Sequence, residues 1–155
     1  MMPQYHLLAS TIIATALLIL TKSPTASLLC LLTGFLLDTD HLIDYWLYKK
    51  KITLDKGILQ GFYEKWNKIP VLLHSIELLI PLWIYALIKN TYLIPLAITI
   101  GTTSHLALDL ASYELHPLSY FLTYRIAKKF EKKYICRNSE NINVSYRELH
   151  KDLKR

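Results

Sequence analysis

Four long apolar blocks constrain this chain more than any other feature of its sequence. They run over Leu7–Leu20, Ala26–Leu37, Ile69–Ile88 and Tyr92–Leu108. A helix needs about 20 mostly apolar residues to cross the hydrocarbon core of a bilayer. The third block reaches that length unaided, the fourth nearly does, and the first two reach it when their polar ends are included. The sequence therefore predicts an all-α fold, a four-helix transmembrane bundle.

The positive charges lie where topology signals are expected. Only 19% of the residues are charged, below the roughly 25% usual in soluble domains. Sixteen of the 18 Lys and Arg residues lie between Lys49 and Lys68 or from Arg125 onward. Because basic loops stay in the cytoplasm, four spans place both termini and the long loop there, in an inner (cytoplasmic) membrane. A cleaved signal peptide is the alternative for the first block, but residues 1–5 carry no Lys or Arg.

A basic segment follows the last block. Pro117–Lys133 mixes apolar side chains with lysines, which favours a C-terminal amphipathic helix on an anionic membrane surface. A solvated helical tail is the alternative. We predict a helical membrane metal-site domain over residues 1–135 and a polar basic tail over 136–155. Cys30 and Cys136 lack the spacing of a disulfide framework and are expected to be free thiols.

Polar and ionisable residues gather at one end of the predicted spans. An ionisable side chain within a span costs about 2.5–3.5 kcal/mol on insertion scales, so such residues usually pair or serve function. Under the topology above, each of them lies near the cytoplasmic end of its helix. The outer ends carry no comparable residues. The set comprises His6, Asp38, Asp40, His41, Asp44, His74, Glu77, His105 and Asp109.

The types and spacing of these residues are typical of a metal site. His105 and Asp109 are four positions apart on one helix, so they share a face and can bind one ion. Imidazole with carboxylate suits Zn²⁺, Mn²⁺ or Fe²⁺, and zinc, as one or two ions, is our prediction. The alternative for each histidine is a core residue satisfied by packing. The predicted metal ligands are His6, Asp40, His41, His74, His105 and Asp109, and the predicted catalytic residues are Asp38 and Glu77.

Four short pieces of this sequence resemble a known family. In order they are Tyr5–Leu8, Leu37–His41, Leu73–Ser75 and Gly101–Asp109. Together they are similar to the YdjM-like family of membrane-bound metal-dependent hydrolases, also called LexA-binding inner-membrane-associated hydrolases. A His-Arg-Gly segment that often precedes the His-Ser pair in that family is replaced here by Lys68–Leu73. The resemblance implies the site residues His6, Asp38, Asp40, His41, His74, His105 and Asp109. Through a looser grouping with zinc-dependent phospholipase C and single-strand nuclease folds, it implies phosphoester hydrolysis.

Three functions are compatible with these features. The first is a metal-dependent hydrolase at the cytoplasmic membrane face, acting on a phosphoester or lipid headgroup, with basic residues that attract an anionic substrate. The second is a non-enzymatic metal-binding or ion-transporting membrane protein, although a transporter needs polar groups near the midplane. The third is a membrane-anchored adaptor with a basic tail, in which we find no specific nucleic-acid motif.

Overall fold

The regular structure of this protein is helical, as the sequence predicts. The structure is a computed structural model that describes residues 3–52, 62–112 and 115–136. Within these ranges the only β-type pairings are two isolated bridges. The α-helices are α1 (Pro3–Thr21), α2 (Pro24–Leu36), α3 (Asp40–Lys49), α4 (Phe62–Trp66), α5 (Leu79–Lys89), α6 (Leu93–Ser112), α7 (Leu122–Ala127) and α8 (Lys132–Ile135). Short 3₁₀ turns cover Leu37–Thr39, Ile76–Leu78 and Pro117–Tyr120.

The chain divides into two compact units. The first comprises residues 1–40 and 72–113, and the second comprises residues 41–71 and 114–155. The first unit contains α1, α2, α5 and α6. The second contains α3 from its second residue onward, together with α4, α7 and α8. The predicted tail lies almost wholly outside the described residues.

Short turns make consecutive helices of the first unit antiparallel. Two residues join α1 to α2, and α2 begins with Pro24 after Ser23, whose hydroxyl caps the helix by accepting from the Ala26 N–H. Asn90 ends α5 in the left-handed conformation, with φ 52° and ψ 41°. The chain then turns back into α6 within a few residues. His6 of α1 stacks on His105 of α6, and Asp38, directly after α2, lies 3.4 Å from His105, so the start of α1 and the ends of α2 and α6 lie together.

Small residues allow α1, α2 and α6 to pack closely. The core between them contains Ala26, Cys30 and Ala97, all with no exposed surface. At Gly101 of α6, an added Cβ would collide with the carbonyl oxygen of Cys30 in α2. The hydroxyl of Ser27 also donates to the Ala14 carbonyl of α1 at 2.7 Å. Close backbone approach of this kind is common in helix packing within membranes.

Three helical stretches are long and apolar enough to cross a membrane. They are Gln4–Thr21, Pro24–Lys49 and Leu93–Ser112. The predicted third block, Ile69–Ile88, gives only the 11-residue helix α5 and the 3₁₀ turn before it. Pro81 lies in the first turn of α5, where a missing N–H is tolerated, and marks where a regular helix can start. Of the four predicted spans, three are thus helices long and apolar enough to cross a membrane, and the third block does not give such a helix.

An aromatic cluster and a buried arginine organise the second unit. Phe62 contacts Tyr45 edge-to-face, with ring centroids 5.1 Å apart, and lies 5.8 Å from Tyr48. Arg125 is fully buried, and its Nη1 donates to the carbonyls of Pro70 and Val71. The arginine thereby satisfies backbone acceptors of an irregular segment.

The C-terminal segment does not form the single amphipathic helix expected over Pro117–Lys133. It forms a 3₁₀ turn and the short helices α7 and α8 instead. Lys129 and Phe130 both adopt positive φ values, 53° and 60°, which a continuing helix excludes. The segment is still helical and basic, but it folds back on itself.

Candidate metal centre

Two histidines of the first unit have their Nδ1 atoms committed to fixed acceptors. His105 Nδ1 donates to the Gly34 carbonyl at 2.9 Å. His74 Nδ1 donates to Asp40 Oδ2 at 3.0 Å. In a neutral imidazole with a proton on Nδ1, the other nitrogen carries a lone pair. Both Nε2 atoms are therefore available as ligands, in the arrangement usual for histidines that bind metals.

The two Nε2 atoms face each other together with two carboxylate oxygens. His74 Nε2 and His105 Nε2 lie 3.2 Å apart. Asp38 Oδ1 lies 3.4 Å from the nitrogen of His105 and 3.7 Å from that of His74. Asp109 Oδ2 lies 3.5 Å from each of the two nitrogens. These four atoms form a group able to hold a metal ion.

The five distances have the size that a tetrahedral zinc site requires. With ligand bonds of about 2.0–2.1 Å, the edge of the tetrahedron is about 3.3–3.4 Å. The observed edges between 3.2 and 3.7 Å scatter around that value. Protonating both Nε2 atoms would point two N–H donors at each other, so at most one of them can carry a proton in this arrangement. A cation among the four atoms would contact all four lone pairs at once.

Burial and charge also fit a divalent cation. The side chains of His74, His105 and Asp109 are at most 9% exposed, whereas that of Asp38 is 24% exposed. Two neutral imidazoles and two carboxylates carry two negative charges, which a divalent ion neutralises. An uncompensated buried carboxylate is costly. Because Asp38 is the most exposed of the four, the site is most accessible on the Asp38 side.

Local structure explains how three chain segments supply the four groups. Asp38 lies in the 3₁₀ turn that ends α2, and His105 and Asp109 occupy one face of α6, one turn apart. His74 lies in irregular backbone before α5. The Leu73 N–H donates to Asp40 Oδ2 at 3.0 Å, so the same carboxylate fixes the backbone and the ring of the next residue. This contact is one reason that the third apolar block does not continue as a helix.

Two further predicted ligands of the first unit lie beside the group of four. Asp40 is buried and contacts the Nδ1 side of His74, behind the four donor atoms. His6 is fully buried, stacks on the His105 ring at 4.0 Å, and places Nε2 3.1 Å from Asp109 Oδ1. Asp109 thus contacts His6 through Oδ1 and the other two histidines through Oδ2. His6 and Asp40 both lie next to the four donor residues.

The remaining residues of the predicted set are His41, Asp44 and Glu77. His41 and Asp44 belong to the second unit, where the Tyr63 hydroxyl donates to Asp44 Oδ2 at 2.9 Å and lies 2.7 Å from His41 Nδ1. Because that hydroxyl has one proton, His41 Nδ1 is the donor of the second contact. Glu77 is half-buried in the 3₁₀ turn after His74. Its assignment as a catalytic residue stays a prediction.

Sequence reasoning missed the backbone groups that orient the site. The Gly34 carbonyl and the Leu73 N–H carry no residue-type signal, because every residue has such groups. The small residue Gly34 was a sign of close helix packing, but not of the role of its carbonyl. Comparison of the chain with protein-family models, with curated proteins and with solved structures finds no match.

Proposed function

We propose that this protein is a membrane-bound, metal-dependent hydrolase of phosphoesters, acting at the cytoplasmic face of the inner membrane. The observation that carries the proposal is the set of four inward-facing donor atoms from Asp38, His74, His105 and Asp109. Imidazole and carboxylate donors without thiolate are more typical of catalytic than of structural zinc sites. The resemblance to the YdjM-like hydrolases supports the same reaction class.

The ion expected here is zinc. Zinc bound in such a donor set would act as a Lewis acid. Because four protein donors fill a tetrahedral site, a reacting water, whose pKa zinc lowers toward about 7, would need a fifth coordination position. The protein's own part is to hold the ligands rigidly, through the Gly34 carbonyl behind His105 and Asp40 behind His74. Asp38 is the most exposed of the four donors, so a substrate would approach on its side. Glu77 is the candidate general base.

The membrane setting fits an anionic substrate. Three helices can cross a bilayer, and we propose that residues 72–89 form a fourth, partly irregular crossing. Irregular backbone is tolerated at membrane depth where protein buries it. The site then lies near the cytoplasmic surface, the side on which the lysine-rich segments are expected to stay, and positive charge on that side attracts phosphate-bearing molecules. A lipid headgroup is the substrate class closest at hand.

The proposal is tested with purified protein in lipid nanodiscs. Hydrolysis of bis-p-nitrophenyl phosphate and release of headgroups from phosphatidylglycerol are measured before and after treatment with a chelator. We expect activity that chelation removes and added zinc restores. In Glu77→Gln we expect a rate lower by about 10²–10⁴-fold at unchanged zinc content, as for loss of a general base.

The matched control is His116→Gln, which alters a histidine of the second unit and should leave the rate unchanged. Hydrolysis that persists without metal would contradict the proposal. Bound zinc without hydrolysis of either substrate would instead favour a non-enzymatic metal-binding protein.

A further inference from the structure

The segment that follows α6 is strongly basic. Residues 115–136 contain five Lys and Arg residues and a single acidic residue, Glu131. Glu131 pairs with Lys133 at 2.8 Å, and both are solvent-accessible. The other exposed charge, on Lys129, adds to a net positive surface. Such a surface favours an anionic partner.

Tyrosine rings hold the lysines of this segment in place. Lys128 Nζ lies 5.9 Å from the centroid of the Tyr124 ring and 5.0 Å from that of Tyr134. Lys133 Nζ lies 4.8 Å from the Tyr134 centroid. The Tyr124 hydroxyl donates to the Tyr134 carbonyl at 3.2 Å, which ties the rings together. We call Tyr124, Lys128, Lys129, Lys133 and Tyr134 the lysine–tyrosine surface.

Large apolar side chains of the same segment are exposed. Leu118, Phe121 and Ile126 are 44%, 40% and 55% exposed. Lysine and tyrosine together with exposed apolar residues are the composition of surfaces that lie in the headgroup region of a membrane. A nucleic acid would match the charge but would leave these apolar side chains in water.

The chain connection also indicates a membrane. Leu115 follows Ser112, the last residue of the candidate span α6, by only three positions. Three residues reach at most about 10 Å, so the segment begins at the bilayer surface if α6 crosses the bilayer. The location thus supplies anionic lipid at high local concentration.

We infer that the lysine–tyrosine surface docks on the anionic lipid headgroups of the cytoplasmic leaflet, with Leu118, Phe121 and Ile126 inserted between them. This inference rests on the membrane part of the proposed function and is independent of the metal site. Lysines near such a surface each contribute about 1 kcal/mol, or about fivefold in binding.

The test uses the full chain in nanodiscs, as Ile126→Cys labelled with an environment-sensitive thiol dye. Cys30 and Cys136 are buried, and burial raises the pKa of the Cys136 thiol, so both should react slowly with the dye. The same labelling of the protein without the Ile126→Cys change measures their background. We expect dye emission at shorter wavelength in discs with phosphatidylglycerol than in discs of phosphatidylcholine alone. High salt should weaken the shift.

Two charge-matched double variants test whether Lys129 and Lys133 are responsible for the docking. K129Q/K133Q should lower the docking equilibrium about 25-fold and abolish the shift. K22Q/K89Q removes two exposed lysines elsewhere and should retain it. Equal emission in both disc types, or a shift that survives K129Q/K133Q, would overturn the inference. So would a shift produced by a single-stranded oligonucleotide in phosphatidylcholine discs.

Discussion

Replacing His105 with Gln is expected to remove bound zinc almost completely. His105 is fully buried, and its Nε2 lies 3.2 Å from Nε2 of His74. A glutamine amide is a poor zinc ligand and cannot place a nitrogen lone pair at that position. Because outer partners alone are worth about 10–100-fold in metal affinity, loss of a direct ligand should exceed that range. The measurement is zinc per chain after dialysis against a weak chelator.

A graded series makes this prediction specific. Asp40→Asn keeps the four donor atoms but weakens the acceptor behind His74, so affinity should fall by about 10–100-fold. His116→Gln should bind zinc like the unaltered protein. If H105Q and H116Q retain equal zinc, the group of four is not the metal site.

Gly101→Ala is expected to destabilise the helical layer, although alanine is the better helix former. Helix propensity alone favours the change by about 0.8–1.0 kcal/mol. The new methyl group would overlap the Cys30 carbonyl, and backbone cannot rotate away as a side chain can. Overpacking of this kind costs about 1–3 kcal/mol, so the net sign should be unfavourable. Unfolding in mixed micelles of rising SDS content, followed by circular dichroism, measures it.

The same variant should also lower zinc occupancy. Asp38 follows α2 and His105 lies on α6, so separating these helices moves their ligand atoms apart. Ala107→Leu enlarges an exposed position of α6 and serves as the control, with no expected loss of stability or zinc. Unchanged stability of Gly101→Ala would contradict the close packing of α2 and α6.

The sequence predicted the helical class and the three helices able to cross a membrane, because the length of each apolar block decides both. It failed for the third block, since length gives no sign that Asp40 captures the backbone at Leu73. It also failed for Pro117–Lys133, where the amphipathic pattern is present but Lys129 and Phe130 turn the chain. At Leu73 a tertiary contact outweighs hydrophobic periodicity, and at Lys129 and Phe130 two backbone conformations that those residue types rarely adopt end the helix.

Residue spacing on a regular helix was sufficient to predict which site residues lie together, and spacing in a turn was not. His105 and Asp109 are one turn apart on α6, and the structure brings them together as that spacing implies. Asp38 and Asp40 lie two positions apart where a 3₁₀ turn passes into α3, and sequence alone cannot tell which carboxylate points inward. The structure places Asp38 in the group of four and Asp40 behind His74.

X-ray absorption at the zinc edge, on the protein purified in nanodiscs, tests the metal centre most directly. We expect one zinc per chain with four nitrogen or oxygen ligands at about 2.0–2.1 Å, and outer-shell scattering from two imidazole rings. A zinc–sulfur distance of about 2.3 Å, the absence of imidazole scattering, or protein that holds no zinc would contradict it.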